Sequence, residues 1–344
     1  MENVKLFLII GSYTLLINYI FSKFSLFKDK KNISEHKVFI NKNITPPFSG
    51  GIIILLTLFI FLTNQNYELM ILCSLIFLFG FLSDTNILKS PNLRFFLQIL
   101  FLIFFIVSMN ITIDSIRIDF FDSLLNNLYF NIFFSTFCIL ILINGTNFID
   151  GLNTLVLGYY ILVLFFTNIL LGDFSYYYLS ENLFSVLIIV LFILFLLNLF
   201  ELLYLGDGGS YLLGVFFGIF LIDLYNNNNS ISPYYIMNLL WYPAYENLFS
   251  IIRKISIKYS AFKPDNLHLH QLIYLNFKII LKKKITNSKI INTFSGLLIN
   301  LLNLIIFYFA TLNYSNTKYQ LTITIFSLII YNFLYFFLKK KLIN

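Results

Sequence analysis

The chain has 344 residues, 59% hydrophobic and only 11% charged, against about 25% charged in a typical soluble domain. Its net charge is +7, but the lysines sit in short segments between long apolar runs. That pattern excludes a soluble enzyme and a nucleic-acid footprint, and it marks an all-α, polytopic integral membrane protein.

Eleven spans are predicted, at about 4–22, 50–64, 67–83, 94–111, 127–143, 153–171, 183–200, 209–224, 233–252, 291–312 and 319–338. The first lacks a basic leader followed by a small-residue cleavage site, so it reads as a retained span rather than a signal peptide. All 23 Lys and Arg residues fall in the odd-numbered loops or at the C-terminus, except Lys5, Arg117 and Lys318. The positive-inside rule then puts the N-terminus outside and the C-terminus in the cytoplasm. Cys73 and Cys138 lie inside apolar runs and read as core residues, with no disulfide or metal site expected. The external loops, including the acidic 114–122 stretch and Asn226–Asn229, read as solvated connectors.

Each cytoplasmic loop carries a polar feature at the membrane edge. The first ends in His36-Lys37, Lys42 and PPFSGG (Pro46–Gly51). Its lysines are topogenic or bind a phosphate or anionic head group, and Gly50-Gly51 permits close backbone approach. The second, Ser83–Arg94, brings Asp84 out at the end of a span, then Lys89 and Arg94, with Gln98 one helical turn beyond. It reads either as a capped helix end or as part of a site. The third, NGTNFIDGLN (Asn144–Asn153), spaces Asn147, Asp150 and Asn153 three apart, on one face if helical. Its oxygens suit a hard cation or a nucleotide, or an N-cap cluster.

The fourth holds Glu201 and then LGDGGSYLLGVFFG (Leu205–Gly218). Ser210, Gly214 and Gly218 repeat every four residues and predict helix packing. Packing does not account for Asp207, an ionisable residue at a membrane-embedded helix end, which reads as a functional candidate or as a helix cap. Gly206, Gly208 and Gly209 around it let a ligand come close. No Lys or Arg occurs between Arg117 and Arg253, so Asp84, Asp150, Asp207 and Glu201 are expected to form an acidic cluster that a divalent cation relieves. Before the fifth loop, Glu246 lies inside a span, costly unless paired. The loop carries His268 and His270 in HLHQ, read as donors to a pyrophosphate rather than as zinc ligands, since no third and fourth ligand is in sight. Residues 271–285 read as a basic amphipathic helix in the membrane interface.

In their order and their placement on one face, PPFSGG, SDTNIL with Arg94 and Gln98, NFIDGLN, LGDGGS and HLH resemble the polyprenyl-phosphate N-acetylhexosamine-1-phosphate transferases, relatives of phospho-N-acetylmuramoyl-pentapeptide transferase. The resemblance covers about residues 36–275 of a single transmembrane domain taken as 1–344. It implies an integral enzyme of the bacterial cytoplasmic membrane, its active site facing the cytoplasm. Such an enzyme transfers a sugar 1-phosphate from a UDP-sugar to undecaprenyl phosphate with Mg²⁺, or Mn²⁺ in its place, and releases UMP. Relatives imply a homodimer in the lipid bilayer. By the same resemblance Asp207 is a metal ligand, joined by Asp150, and Asn147 stands near nucleotide and metal. His268 and His270 handle the diphosphate, and Lys42 meets phosphate. Arg94, Asn153, Gly208 and Gln271 complete the substrate-binding set.

The chain departs from the family pattern at several points. Ser83-Asp84 stands where two adjacent aspartates are usual, so the role of base falls to Asp84 or Asp150, or to none, since a phosphate monoester is already largely ionised. Gln271 replaces a frequent His, Asn153 an Asp, and Glu246 an Asp. Two other function classes compete. A transporter or flippase of lipid-linked sugars predicts polar residues at the bilayer midplane and an internal repeat, neither of which is evident. An inactive scaffold rests on Ser83.

Overall fold

The computed structural model describes residues 2–27, 46–62, 66–170, 181–256, 258, 267–281 and 287–343. His36, Lys37, Lys42, Lys263 and Lys282–Lys284 lie outside the described residues. The described chain forms thirteen α-helices. Eleven sit where spans are expected: α1 (Glu2–Lys23), α2 (Gly50–Phe61), α3 (Tyr67–Asp84), α4 (Pro91–Met109), α6 (Leu128–Ile149), α7 (Leu155–Leu170), α8 (Glu181–Leu199), α9 (Gly206–Asn226), α10 (Pro233–Ser256), α12 (Ser288–Leu312) and α13 (Thr317–Ile343). Seven are long and apolar enough to cross a membrane, and α2, α7 and α8 are shorter apolar helices. The chain is therefore a polytopic, all-helical membrane protein. The remaining two helices are α5 (Asp119–Leu125) and α11 (Leu269–Leu281). The second realises the described part of the expected amphipathic segment.

Local chemistry sets several helix starts. Ser90 accepts a hydrogen bond from the Leu93 N–H (3.3 Å) ahead of Pro91, and Asn127 accepts one from Phe130 (3.1 Å), opening α4 and α6.

α9 is the post around which the bundle is built. Every residue from Gly206 to Tyr225 is buried except Asp207, as expected of a helix that is apolar all round. It packs against α2, α3, α6 and α10. The four-residue repeat works as a packing face: a Cβ on Gly214 would lie 2.7 Å from Ile143 Cα, and one on Gly218 3.3 Å from the Leu142 side chain. At the start of α9 the contacts become backbone on backbone. A Cβ on Gly80 of α3 would lie 2.5 Å from the Asp207 carbonyl, and one on Gly51 of α2 2.5 Å from the Gly209 nitrogen. The PPFSGG segment docks on the residues just before α9. The Tyr204 N–H donates to the Pro47 carbonyl (3.0 Å), and the Gly50 and Gly51 N–H groups donate to Tyr204 and Leu205 (3.1 and 3.2 Å).

The far ends of the helices correct one expectation. The 114–122 stretch is a clasp rather than a solvated connector. The Arg117 guanidinium donates to the carbonyls of Asn229 (2.8 Å), Ile231 (2.7 Å) and Ser315 (3.1 Å) and to the Thr317 hydroxyl (3.0 Å). Asp122, in α5, accepts from Ser115 Oγ (2.7 Å) and the Ile116 N–H (2.8 Å). The fork of donors on one arginine gathers oxygens from two distant loops, a link invisible in local sequence.

The packing at Gly80 leads to a test. Gly80→Ala should lower stability by about 1–3 kcal/mol, because the methyl meets backbone that cannot give way. Gly11→Ala, whose Cβ would meet Ile193 at an ordinary 3.7 Å, should be neutral or stabilising, as usual for Gly to Ala inside a helix. Thermal unfolding of the purified protein in detergent separates the two.

Candidate active site

Asp207 sits in the first turn of α9, where the N-terminal end of the helix dipole favours a carboxylate. Its side chain is 26% exposed. Oδ1 accepts from Asn147 Nδ2 (3.0 Å), which also donates to Ser210 Oγ (3.0 Å). Oδ2 accepts from Ser83 Oγ (2.8 Å) and from Arg94 Nη1 (3.4 Å). Arg94 Nη1 donates to Ser83 Oγ as well. Residues of α3, α4 and α6 thus converge on one carboxylate at the start of α9.

Asp84 closes the arrangement from the side. Leu205, at the N-cap of α9, provides no side-chain cap. The Asp84 carboxylate takes that place across space: Oδ1 accepts the Asp207 N–H (3.1 Å) and Oδ2 the Gly208 N–H (3.2 Å). Two of the N–H groups that every helix leaves unsatisfied are served by a different helix. Gly206, at φ +80°, makes the bend that allows this, and a Cβ there would lie 2.7 Å from Asp84 Oδ2. Gly208 itself is buried against Phe77 and Phe81, with its N–H bonded to Asp84, so its backbone serves the cap.

The third-loop residues part company. Asn147 is in the last turn of α6 and points to Asp207, and Asp150 is the C-cap of that helix. The helix ends there, so Asn153 does not continue the expected face. The Asn153 N–H donates to Asn292 Oδ1 (2.7 Å), and the Asn153 side chain donates to Glu201 Oε1 (3.2 Å). Glu201 Oε2 pairs with Lys289 Nζ at 2.7 Å. The expected four-carboxylate cluster is therefore divided. Lys289 neutralises Glu201, and Arg94 stands against Asp207; both bases come from outside the Arg117–Arg253 interval in which sequence showed none.

The histidines form a second, buried group. His268 Nδ1 lies 2.9 Å from Glu246 Oε1, which also accepts from the Leu269 N–H (3.4 Å). Gln271 turns inward and its Oε1 accepts the His268 N–H (3.1 Å), half of a capping box that starts α11. The His268 and His270 rings stack, 5.6 Å apart and 15° from parallel, and Phe148 packs on His268 at 5.2 Å. Lys254, also buried, places its ammonium 5.8 Å from the Phe148 ring. His270 is fully buried, and neither ring nitrogen has a hydrogen-bond partner among the described residues. Its Nε2 would lie 2.5 Å from a Cβ on Gly151, the residue after Asp150. Only the absence of a side chain at Gly151 lets the two site segments meet.

The family model for glycosyl transferase family 4 matches residues 66–225, which hold Ser83, Asp84, Arg94, Asn147, Asp150 and Asp207. Over that stretch the chain is similar to glycosyl transferase family 4. It is 27% identical over 228 residues to an undecaprenyl-phosphate alpha-N-acetylglucosaminyl 1-phosphate transferase of Thermotoga maritima, covering 66% of this chain and 67% of the relative. The residue at the departure, Ser83, does not leave a hole. Its hydroxyl bridges Arg94 and Asp207. Sequence reading missed the bridge, and it missed Ser210 as a partner of Asn147. It flagged Glu246 as a charge in want of a partner and as a departure from the family pattern, without naming His268 as that partner.

Burial and then the neighbouring His268 push the His270 pKa well below the ordinary 6.5. This ring, in α11 outside the spans, is neutral when folded. Above about pH 6.5 it costs nothing. Below that value the unfolded chain takes up the proton and the buried ring does not, so stability falls by about 1.4 kcal/mol per pH unit until the folded pKa is reached. The thermal midpoint should therefore drop between about pH 6.5 and 5, and His270→Leu should flatten that slope.

Proposed function

We propose that this protein is a glycosyl transferase of family 4 that transfers an N-acetylhexosamine 1-phosphate from a UDP-sugar to undecaprenyl phosphate, releasing UMP, to start a cell-surface glycan. The observation that carries the reading is the partly exposed Asp207 carboxylate at a helix end, with Asn147, Ser83 and Arg94 gathered on it. Phosphoryl transfer calls for charge neutralisation and positioning more than covalent help. A site at helix ends, at head-group depth, suits a lipid phosphate whose tail stays between spans. The lysine-rich loops on this side support a cytoplasmic site in a bacterial inner membrane.

The donors suit Mg²⁺ or Mn²⁺. They are hard oxygens, and Asp207 Oδ1 keeps one lone pair beyond that engaged by Asn147, while Ser83 and Arg94 occupy Oδ2. Among the described residues no three carboxylate, histidine or cysteine side chains converge as a metal cage. That matches a cation with one or two protein carboxylates, Asp207 and then Asp150, and phosphate oxygens for the rest. When bound, the cation would neutralise diphosphate charge. The chain's own residues do the remainder. Asp84 holds the start of α9, and so Asp207, in place. Asn147 and Ser83 orient the carboxylate. Arg94 supplies a fixed positive charge beside the phosphates. No protein base is required at Asp84, because the lipid phosphate is already ionised near neutral pH.

Membranes containing the protein, given undecaprenyl phosphate, a panel of UDP-N-acetyl sugars and Mg²⁺, should release UMP with one donor. EDTA and Asp207→Asn should each lower the rate by about a hundredfold or more. No release from folded protein with any donor would overturn the reading and favour a scaffold. Arg94→Lys keeps the charge but loses the fork that meets Ser83 and Asp207. It should cost about tenfold in kcat/KM, measured in the same assay.

A further inference from the structure

Buried carboxylates inside a helical bundle are costly unless paired, and Glu246 is only 1% exposed. Its Oε1 is committed twice at the start of α11, to His268 Nδ1 at 2.9 Å and to the Leu269 N–H at 3.4 Å. A carboxylate facing Nδ1 requires the proton on that nitrogen, because two acceptors cannot share a hydrogen bond without one. Imidazole in water prefers the other tautomer, so this contact works against the intrinsic preference. The ring is then gripped on its remaining sides. Phe148 packs on it, His270 stacks on it, and Gln271 holds its backbone N–H. The charged and titratable groups around this pair are His270 on α11, Lys254 and Tyr242 on α10, and Tyr331 on α13.

We propose that Glu246 is a positioning residue: its carboxylate fixes the Nδ1–H tautomer and the orientation of His268, so that the proton chemistry of this ring at the site passes through Nε2. The role in turnover rests on the transferase reading above, but the tautomer lock does not. The same carboxylate also sits at the N-terminus of α11, where a plain cap would have similar geometry. The two roles separate by chemistry. A cap needs only an acceptor, which Glu246→Gln retains. A lock against the intrinsic tautomer needs the charge, which Glu246→Asp retains and Glu246→Gln and Glu246→Leu do not.

The chain has three histidines, so ¹⁵N-histidine spectra of the full-length protein in detergent are simple. His36→Gln and His270→Gln assign the His268 signal. In the wild type His268 should carry its proton on Nδ1. In Glu246→Leu and Glu246→Gln that signature should be lost or mixed, while Glu246→Asp should restore it. UMP release should fall about tenfold to a hundredfold in the Gln and Leu variants and recover to within a few-fold in Asp. Thermal unfolding of each variant shows which of them fold, and the Asp and Gln pair decides the matter if Leu does not. An unchanged Nδ1–H signature in Glu246→Gln and Glu246→Leu would overturn the lock. A lost signature with unaltered UMP release would overturn the role in turnover. If the wild type releases no UMP with any donor, the transferase reading falls, and the spectra still decide for or against the lock.

Discussion

One capping interaction holds the rest in register. The Asp84 carboxylate, at the end of α3, accepts the first N–H groups of α9 and stands in for the cap that Leu205 cannot provide. That contact requires the two backbones to touch, hence Gly80 against Asp207 and the left-handed Gly206 beside Asp84. With α9 fixed, Asp207 has one position, and Ser83, Arg94 and Asn147 reach it from three helices. The site is therefore tied to the ends of packed helices rather than carried on a mobile loop, as positioning chemistry demands.

Much of this was legible in the chain. Long apolar runs gave the positions of eleven helices, seven of them long and apolar enough to cross a membrane. Asp207 stood out as a carboxylate among glycines at a span edge, and Asn147 as an amide facing the same end. The Ser210, Gly214, Gly218 stripe predicted a packing face and is one. Other features were hidden for physical reasons. Ser83 looked like a lost carboxylate, because its value lies in a bridge to residues of two other helices, one of them 124 positions away. Glu201 joined a supposed acidic cluster because Lys289 reaches it from the far end of the fifth loop. Asn153 was placed on the face of a helix that stops before it. The short α5 is only seven residues long, and the partners of Arg117 just before it all lie more than a hundred residues downstream.

The histidine group follows a different logic from the Asp207 group. Asp207 and its partners Ser83, Arg94 and Asn147 are partly buried, whereas His268, His270, Glu246 and Lys254 are all buried. The two meet along a seam where Asp150–Gly151 lies against His270 and Phe148 packs on His268. A glycine at the seam permits contact without a side chain between the two groups, which ties the polar half of the site to the aromatic one.

The division of the site along the chain has a bearing on how the protein is made. Asp84, Arg94, Asn147 and Asp207 all precede the end of α9, whereas Glu246, His268, His270 and Lys289 follow it. Chains leave the ribosome N-terminus first, so the carboxylate half can be capped and packed while the histidine half has yet to be synthesised. Lys289 and Asn292, which tie down Glu201 and Asn153, arrive later still. The order of the residues thus permits the site to form in stages, with the contacts of Asn292 and Lys289 available only once α12 has been made.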